Sequence, residues 1–273
     1  MQPYTQQTII YILNDMKVVI FAGGLGSRIS EESHLKPKPM IEIGGHPILW
    51  HIMKLYQAQG FNEFIICLGY KGYVIKEYFS NYFLHNSNVT FDLANNNIQY
   101  HNPTVENFKV TLVDTGVYTK TAGRLRKIKD YLGNEPFMLT YGDGLADIDC
   151  KRLIAFHKES GKIATVTAIQ PSGKFGVIES EENGVVQEFI EKPKQSGGWI
   201  NGGFFVLNPE VFDFIPQEAD EIMWEEEPLK KLVAARELVS YHHQGFWKCM
   251  DILRDKIELE ELWSKSAPWK IWK

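Results

Sequence analysis

Cysteine is scarce in this chain of 273 residues: Cys67, Cys150 and Cys249 make up the whole set. They are far apart, odd in number and form no Cys-x-x-Cys pair, which argues against a disulfide framework or a zinc knuckle. An excess of positive charge is missing as well. Lysine and arginine number 29 against 34 aspartates and glutamates, a formal net charge of −5, so neither nucleic acid nor an anionic membrane is an expected partner. Any anionic ligand must be met by a local gathering of lysine, arginine and backbone N–H groups. The opening segment, MQPYTQQTIIYILND, has no basic stretch, and its apolar run is too short for a secretory signal or a membrane span. A cytoplasmic protein is expected. No low-complexity tract, internal repeat or long linker divides the chain, so residues 1–15 read as an N-terminal extension and 16–273 as one domain.

Apolar residues, in contrast, are plentiful at 44%, enough for a large core. They fall into alternating strand-like and helix-like runs. Lys17–Ala22 is continuous and β-branched, as in a strand buried on both faces. PILWHIMKLYQAQG then places Ile48, Ile52 and Leu55 on one helical face, with Gly60 as a natural helix stop. EFIICLG, YVIKEYFSNYF, KVTLVDT, GRLRKIKDYLG, PFMLTYGDG, LIAFHKESG and ATVTAI continue the rhythm. The expected fold is α/β, a Rossmann-like, mostly parallel sheet flanked by helices, with inserted and C-terminal antiparallel strands. NVTFDLANNNIQYHNPTVENF reads as an inserted irregular hairpin, and FGVIES with GVVQEFIEKP as a second hairpin around Glu-Asn-Gly.

The first strand runs into AGGLGSR, where glycines let backbone N–H groups curl around an anion. This is no Walker A loop, because no Gly-Lys-Ser/Thr follows. Nor is it a complete dinucleotide fingerprint, since Gly24-x-Gly26 is followed by Ile29 where a third glycine belongs. Arg28 in the loop suits a leaving group that gains negative charge. Lys36 and Lys38 follow, stiffened by Pro37 and Pro39. The residues alone also allow a tight turn with solvated cations.

GG-x-G-[ST]-R followed by KPKP, together with GYKGYVIKEYF, VTLVDTG, TYGDGLADID, FIEKPK, INGGFFVLNP and FWKCMDILRDK, resembles the sugar-1-phosphate nucleotidyltransferases from Met16 to the C-terminus. Within that family the GDG loop is similar to the branch that joins CTP to glucose 1-phosphate, giving CDP-glucose and pyrophosphate. The resemblance implies Mg²⁺, a place in deoxysugar and O-antigen (lipopolysaccharide) synthesis, no nucleic-acid or membrane partner, and a homo-oligomer, trimer or hexamer. It implies that Phe21, Ala22, Gly23, Gly24, Leu25, Gly26 and Ser27 line the nucleotide, with Arg28 and Lys38 on its phosphates and Thr119, Arg124 and Gly142 completing the site. Glu191, Lys192, Asn201 and Gly202 match the sugar-phosphate-binding positions. Asp143 and Asp251 match the metal ligands, and Arg28, Lys38 and Asp143 the catalytic set.

Blander readings stand beside these. Asp143 beside glycine suits a turn cap, Asp251 an N-cap of the last helix, Arg124 a solvated helix start, and Glu191–Lys192 an exposed ion pair. Glu225–Glu227 reads as a solvated helix start, and His242 and His243, adjacent on a strand, should face opposite ways. The aromatic tail LWSKSAPWKIWK packs on its own subunit or on another. Two departures from the family pattern are the residues before Met16 and Ile252 where the family usually has threonine. The rivals are a relative using another base or sugar (UTP or dTTP), a Rossmann-type oxidoreductase and a binding homologue without turnover. GYKGY after the second strand lacks the carboxylate an oxidoreductase needs, and a silent homologue would have lost Arg28, Lys38 or Asp143.

Overall fold

The computed structural model describes residues 16–26, 29, 36–102, 105–171, 177–180, 186–190 and 198–272. The extension 1–15 lies outside them. Strand β1 (Val18–Ala22) is followed by a short hairpin, β2 (Glu42–Ile43) with β3 (His46–Pro47), and by helix α1 (Ile48–Gln57). Next come β4 (Glu63–Leu68), α2 (Gly72–Ser80), α3 (Tyr82–His85), the hairpin β5 (Asn88–Asp92) with β6 (Asn97–His101), and β7 (Lys109–Asp114). Helices α4 (Thr121–Lys127) and α5 (Lys129–Leu132) lead to β8 (Phe137–Tyr141) and β9 (Gly144–Ala146). Then follow α6 (Cys150–Ser160), β10 (Ala164–Ile169), the hairpin β11 (Val177–Ser180) with β12 (Val186–Ile190), and β13 (Ile200–Leu207). The chain closes with α7 (Glu227–Ala234), β14 (Leu238–His243), β15 (Trp247–Cys249) and α8 (Leu253–Lys265).

Among the described residues the main sheet has seven strands in the order β14-β10-β13-β8-β1-β4-β7. Only β13 runs antiparallel to its neighbours; β14 pairs parallel with β10, whereas β15 pairs antiparallel with β9. The expected α/β architecture is thus present, with β5–β6 and β11–β12 as its antiparallel inserts.

The unbroken apolar run of β1 has a simple cause: both faces of the sheet are covered. Val18, Ile20 and Ala22 point into one core with Ile52 and Leu55 of α1, while Val19 and Phe21 point into another with Leu125 of α4. A period of two residues therefore feeds two cores, and no polar position is left on the strand.

The aromatic tail packs on its own chain. Trp269 is fully buried, and Trp263 and Trp272 lie edge-on or tilted against His51 of α1. His51 Nε2 lies 2.7 Å from the carbonyl oxygen of Ile43, which can only accept, so Nε2 carries the proton. Nδ1 is then free of a proton and accepts from Trp269 Nε1 at 3.3 Å. A second proton on Nδ1 would face that indole N–H. Burial is the main reason the pKa of His51 falls to about 4.

A histidine neutral when folded and ordinary when unfolded destabilises the native state as pH drops from about 6.5 towards 4, because the unfolded chain binds the extra proton. His51→Gln should flatten the fall of unfolding free energy across that window by up to about 1.4 kcal/mol per pH unit. Denaturant melts at several pH values measure it; parallel slopes in both proteins would show that His51 titrates normally.

Candidate active site

The chain runs from β1 outwards to β4 and β7, then returns to place β8 on the other side of β1. Such a reversal opens a crevice at the C-terminal ends of the two strands. The register aligns those ends, with Phe21 opposite Tyr141, Ala22 opposite Leu68 and Leu68 opposite Asp114. A cavity of about 390 Å³ opens there, lined by the glycine loop Gly23–Gly26, by Lys38, Thr119 and Arg124, and by Gly142 and Asp143. That size lies within the range of small-ligand sites. Gly142 is required for close approach, since a Cβ would lie 2.7 Å from the Phe21 carbonyl oxygen and 3.1 Å from the Pro39 ring.

Arg124 is 4% exposed, and its guanidinium is packed against the base of the glycine loop. It donates to the carbonyls of Leu68 (2.9 Å), Gly23 (2.9 Å) and Val117 (3.4 Å), and to Thr115 Oγ1 (2.6 Å). These bonds join the ends of β1, β4 and β7. The glycines beside it follow from the same contact: a Cβ on Gly23 would sit 2.1 Å from Arg124 Nη1, and one on Gly69 2.7 Å from it. A solvated helix start is therefore excluded for Arg124. Thr119 is buried at the same wall and accepts from Lys127 Nζ at 2.9 Å.

Lys38 opens a short 3₁₀ turn, Lys38–Met40, after Pro37. Its Nζ donates to Asp143 Oδ2 and to Asp251 Oδ1, each at 2.7 Å. Burial lowers the lysine pKa, but the charges and hydrogen bonds of Asp143 and then Asp251 outweigh it, so the net shift is upward. Asp251 reaches Asp143 because β15 pairs with β9, Cys249 opposite Gly144, and the Met250 amide donates to the Asp143 carbonyl at 2.8 Å. The N-cap reading of Asp251 is replaced by another residue. Asp255 Oδ2 accepts from the amides of Asp251 (2.9 Å) and Ile252 (3.0 Å) at the start of α8, which also serves the position where Ile252 offers no hydroxyl.

Two carboxylates one hydrogen-bond length from the same nitrogen form an oxygen-only cation seat. No group of three or more His, Cys, Asp or Glu able to hold an ion occurs among the described residues. Cys249 is close, but burial and then the carboxylates of Asp143, Asp251 and Asp255 push its pKa up to about 11, so it stays a thiol. One or two carboxylates, with substrate oxygens and water, are the habit of Mg²⁺ and not of zinc. The donor set fits.

A family model for nucleotidyl transferases matches residues 17–252. Glucose-1-phosphate cytidylyltransferase of Salmonella typhi is 57% identical over 259 residues, covering 94% of this chain and all of that protein. This chain belongs to the nucleotidyl transferase family. The probable glucose-1-phosphate cytidylyltransferase of Bacillus subtilis is 47% identical over 94% of this chain and all of its own length. In fold, the crystal structure of HddC from Yersinia pseudotuberculosis is similar at a TM-score of 0.65 and 23% identity, over 91% of this chain and 99% of that one.

In this nucleotidyl transferase, Ser27, Arg28, Glu191 and Lys192 lie outside the described residues. Asn201 is the second residue of β13, whose antiparallel course brings it to the end of β8, where its Nδ2 donates to the Tyr141 hydroxyl at 3.2 Å. Gly202 is buried beside it, its carbonyl accepting from Trp247 Nε1 at 2.7 Å. Lys36 pairs with Glu42 at the surface, away from Lys38. The two adjacent histidines do diverge, His242 stacking on Trp199 and His243 lying 3.0 Å from Asp147.

Sequence reasoning missed Glu225. It is half-buried, and its carboxylate accepts from the Tyr141 hydroxyl at 2.5 Å and from Thr121 Oγ1 at 2.7 Å. The solvated-start reading holds for Glu226 and Glu227, both exposed, but not for Glu225, which clasps the end of β8 to the start of α4. Three consecutive glutamates carry no signal of which one turns inward. Glu225→Ala would leave two inward hydroxyls without their charged acceptor, a loss of about 2 kcal/mol and a few degrees of melting temperature. Glu226→Ala should melt like the parent; equal melting of all three proteins would refute the clasp.

Proposed function

We propose that the protein transfers a cytidylyl group from CTP to α-D-glucose 1-phosphate, giving CDP-glucose and pyrophosphate with the help of Mg²⁺. The observation that carries this reading is the 57% identity, over the full length of the relative, to glucose-1-phosphate cytidylyltransferase. The meeting of Lys38, Asp143 and Asp251 at the edge of the glycine-loop cavity supports it.

The chemistry asks little of the protein in covalent terms. A phosphate oxygen of glucose 1-phosphate forms a bond to the α-phosphorus of CTP, and the bond from that phosphorus to the bridging oxygen breaks, releasing pyrophosphate. The nucleophile is already an anion, so no general base is needed. What must be overcome is repulsion between two polyanions. Mg²⁺, held by Asp143 and Asp251, would neutralise phosphate charge and polarise the phosphorus–oxygen bonds. Lys38 brings a compact positive charge to the phosphates, and Arg28 in the glycine loop faces the departing pyrophosphate. The loop amides Gly23–Gly26 and the wall at Thr119 and Arg124 receive the nucleotide. Asn201, Gly202, Glu191 and Lys192 hold the sugar phosphate. Homo-oligomeric assembly and a cytoplasmic location belong to the same reading; no described helix is long and apolar enough to cross a membrane.

Pyrophosphate release should be followed with glucose 1-phosphate, Mg²⁺ and each of CTP, UTP, dTTP and GTP. CTP should give the highest kcat/KM, and Asp143→Asn should cut turnover at least about 100-fold while melting near the parent temperature. A higher kcat/KM with another triphosphate would overturn the base assignment, and release from none would overturn the transferase.

A further inference from the structure

The position of Lys38 raises a problem for the site just proposed. Its ammonium is within 2.7 Å of one oxygen of each carboxylate that would bind the divalent cation. The lysine side chain is 14% exposed and those of Asp143 and Asp251 are 29% and 35% exposed, so the pair is partly shielded from water and the contact is stronger than a surface ion pair. An ammonium and a divalent cation compete for these carboxylates. The oxygens held are Asp143 Oδ2 and Asp251 Oδ1, and two positive centres so close repel each other. Yet Lys38 also borders the cavity of the glycine loop, and its four-carbon stem is flexible. The backbone beneath it is not, being flanked by Pro37 and Pro39. A swing of the side chain alone can carry the charge from the carboxylates to a phosphate in the cavity.

We propose that Lys38 holds the place of the divalent cation until the nucleotide arrives. In the free enzyme the ammonium offsets one of the two negative charges of Asp143 and Asp251 and holds back the ion. A triphosphate in the cavity draws the ammonium across, uncovers the two carboxylates, and the ion enters with the nucleotide. Lys38 thus has a second task beside phosphate contact: it sets the order in which charge is loaded. This rests on the metal-dependent reading above.

The test is Mn²⁺ binding by the nucleotide-free protein, read as the loss of the free-ion signal in electron paramagnetic resonance. Lys38→Met keeps the stem and removes the charge. It should bind Mn²⁺ at least about tenfold more tightly than the parent, and adding Asp143→Asn to it should abolish the gain. Lys38→Ala serves as a second variant, with thermal melts to verify that each protein is folded. Equal Mn²⁺ affinity in the parent and both Lys38 variants would overturn the placeholder while leaving the metal site standing. A gain that survives Asp143→Asn would put the ion elsewhere and overturn it too. No Mn²⁺ binding by any nucleotide-free variant would overturn the placeholder, since the ion would then need the nucleotide's oxygens and not the departure of Lys38.

Discussion

The buried guanidinium of Arg124 is the contact on which the site depends. The strand-end carbonyls of Leu68 and Gly23 accept the amides of Thr115 (3.0 Å) and Tyr70 (3.2 Å), each with a lone pair to spare. Arg124 uses those lone pairs to tie the loops together, donating to Gly23 and Leu68 and to the Thr115 hydroxyl, which itself donates to Leu68 at 2.6 Å. A planar fork of donors suits this better than a lysine could. The same side chain lines the cavity, so loop shape and binding surface share one residue. A Cβ on Gly23 would meet the guanidinium, and one on Gly69 would meet the Gly23 carbonyl oxygen at 2.5 Å as well as the guanidinium at 2.7 Å.

A second constraint acts at long range. Asp143 follows β8 directly, but Asp251 arrives only after the chain has built the far half of the sheet and returned through β15 onto β9. Bringing two carboxylates together costs free energy unless a cation stands between them. Lys38 supplies it in the free protein. One ammonium offsets half of the charge of the two carboxylates, within a protein whose net charge is −5.

Much of this was legible in the sequence, for definite reasons. Lys17–Ala22 reads as a doubly buried strand because both faces are covered, and the glycines of AGGLG stand out because Gly23 leaves room for the Arg124 guanidinium and Gly26 has a φ of 65°. Asp143 stands out between two glycines. Other features were hidden because their signals are not local. Nothing in GRLRKIKDYLG tells Arg124, turned to the strand ends, from Arg126, turned to the Phe212 carbonyl; most partners of Arg124 are carbonyls, which every residue has. Glu225 looks like Glu226. Asp255 caps α8 from inside its first turn, whereas the N-cap position itself is Ile252, one residue after Asp251. His51 gave no hint of its burial beneath Trp269, because the tail that covers it is more than two hundred residues away in the chain.

The most direct measurement is the melting of Arg124→Met without nucleotide, set beside its affinity for CTP. If the guanidinium holds the strand ends, its removal breaks four charged hydrogen bonds and leaves a cavity beneath the glycine loop, and the melting midpoint falls by about 5 °C or more, with CTP binding weakened in step. A variant that melts like the parent while losing CTP would contradict the account, reducing Arg124 to a ligand contact on a loop that keeps its own shape.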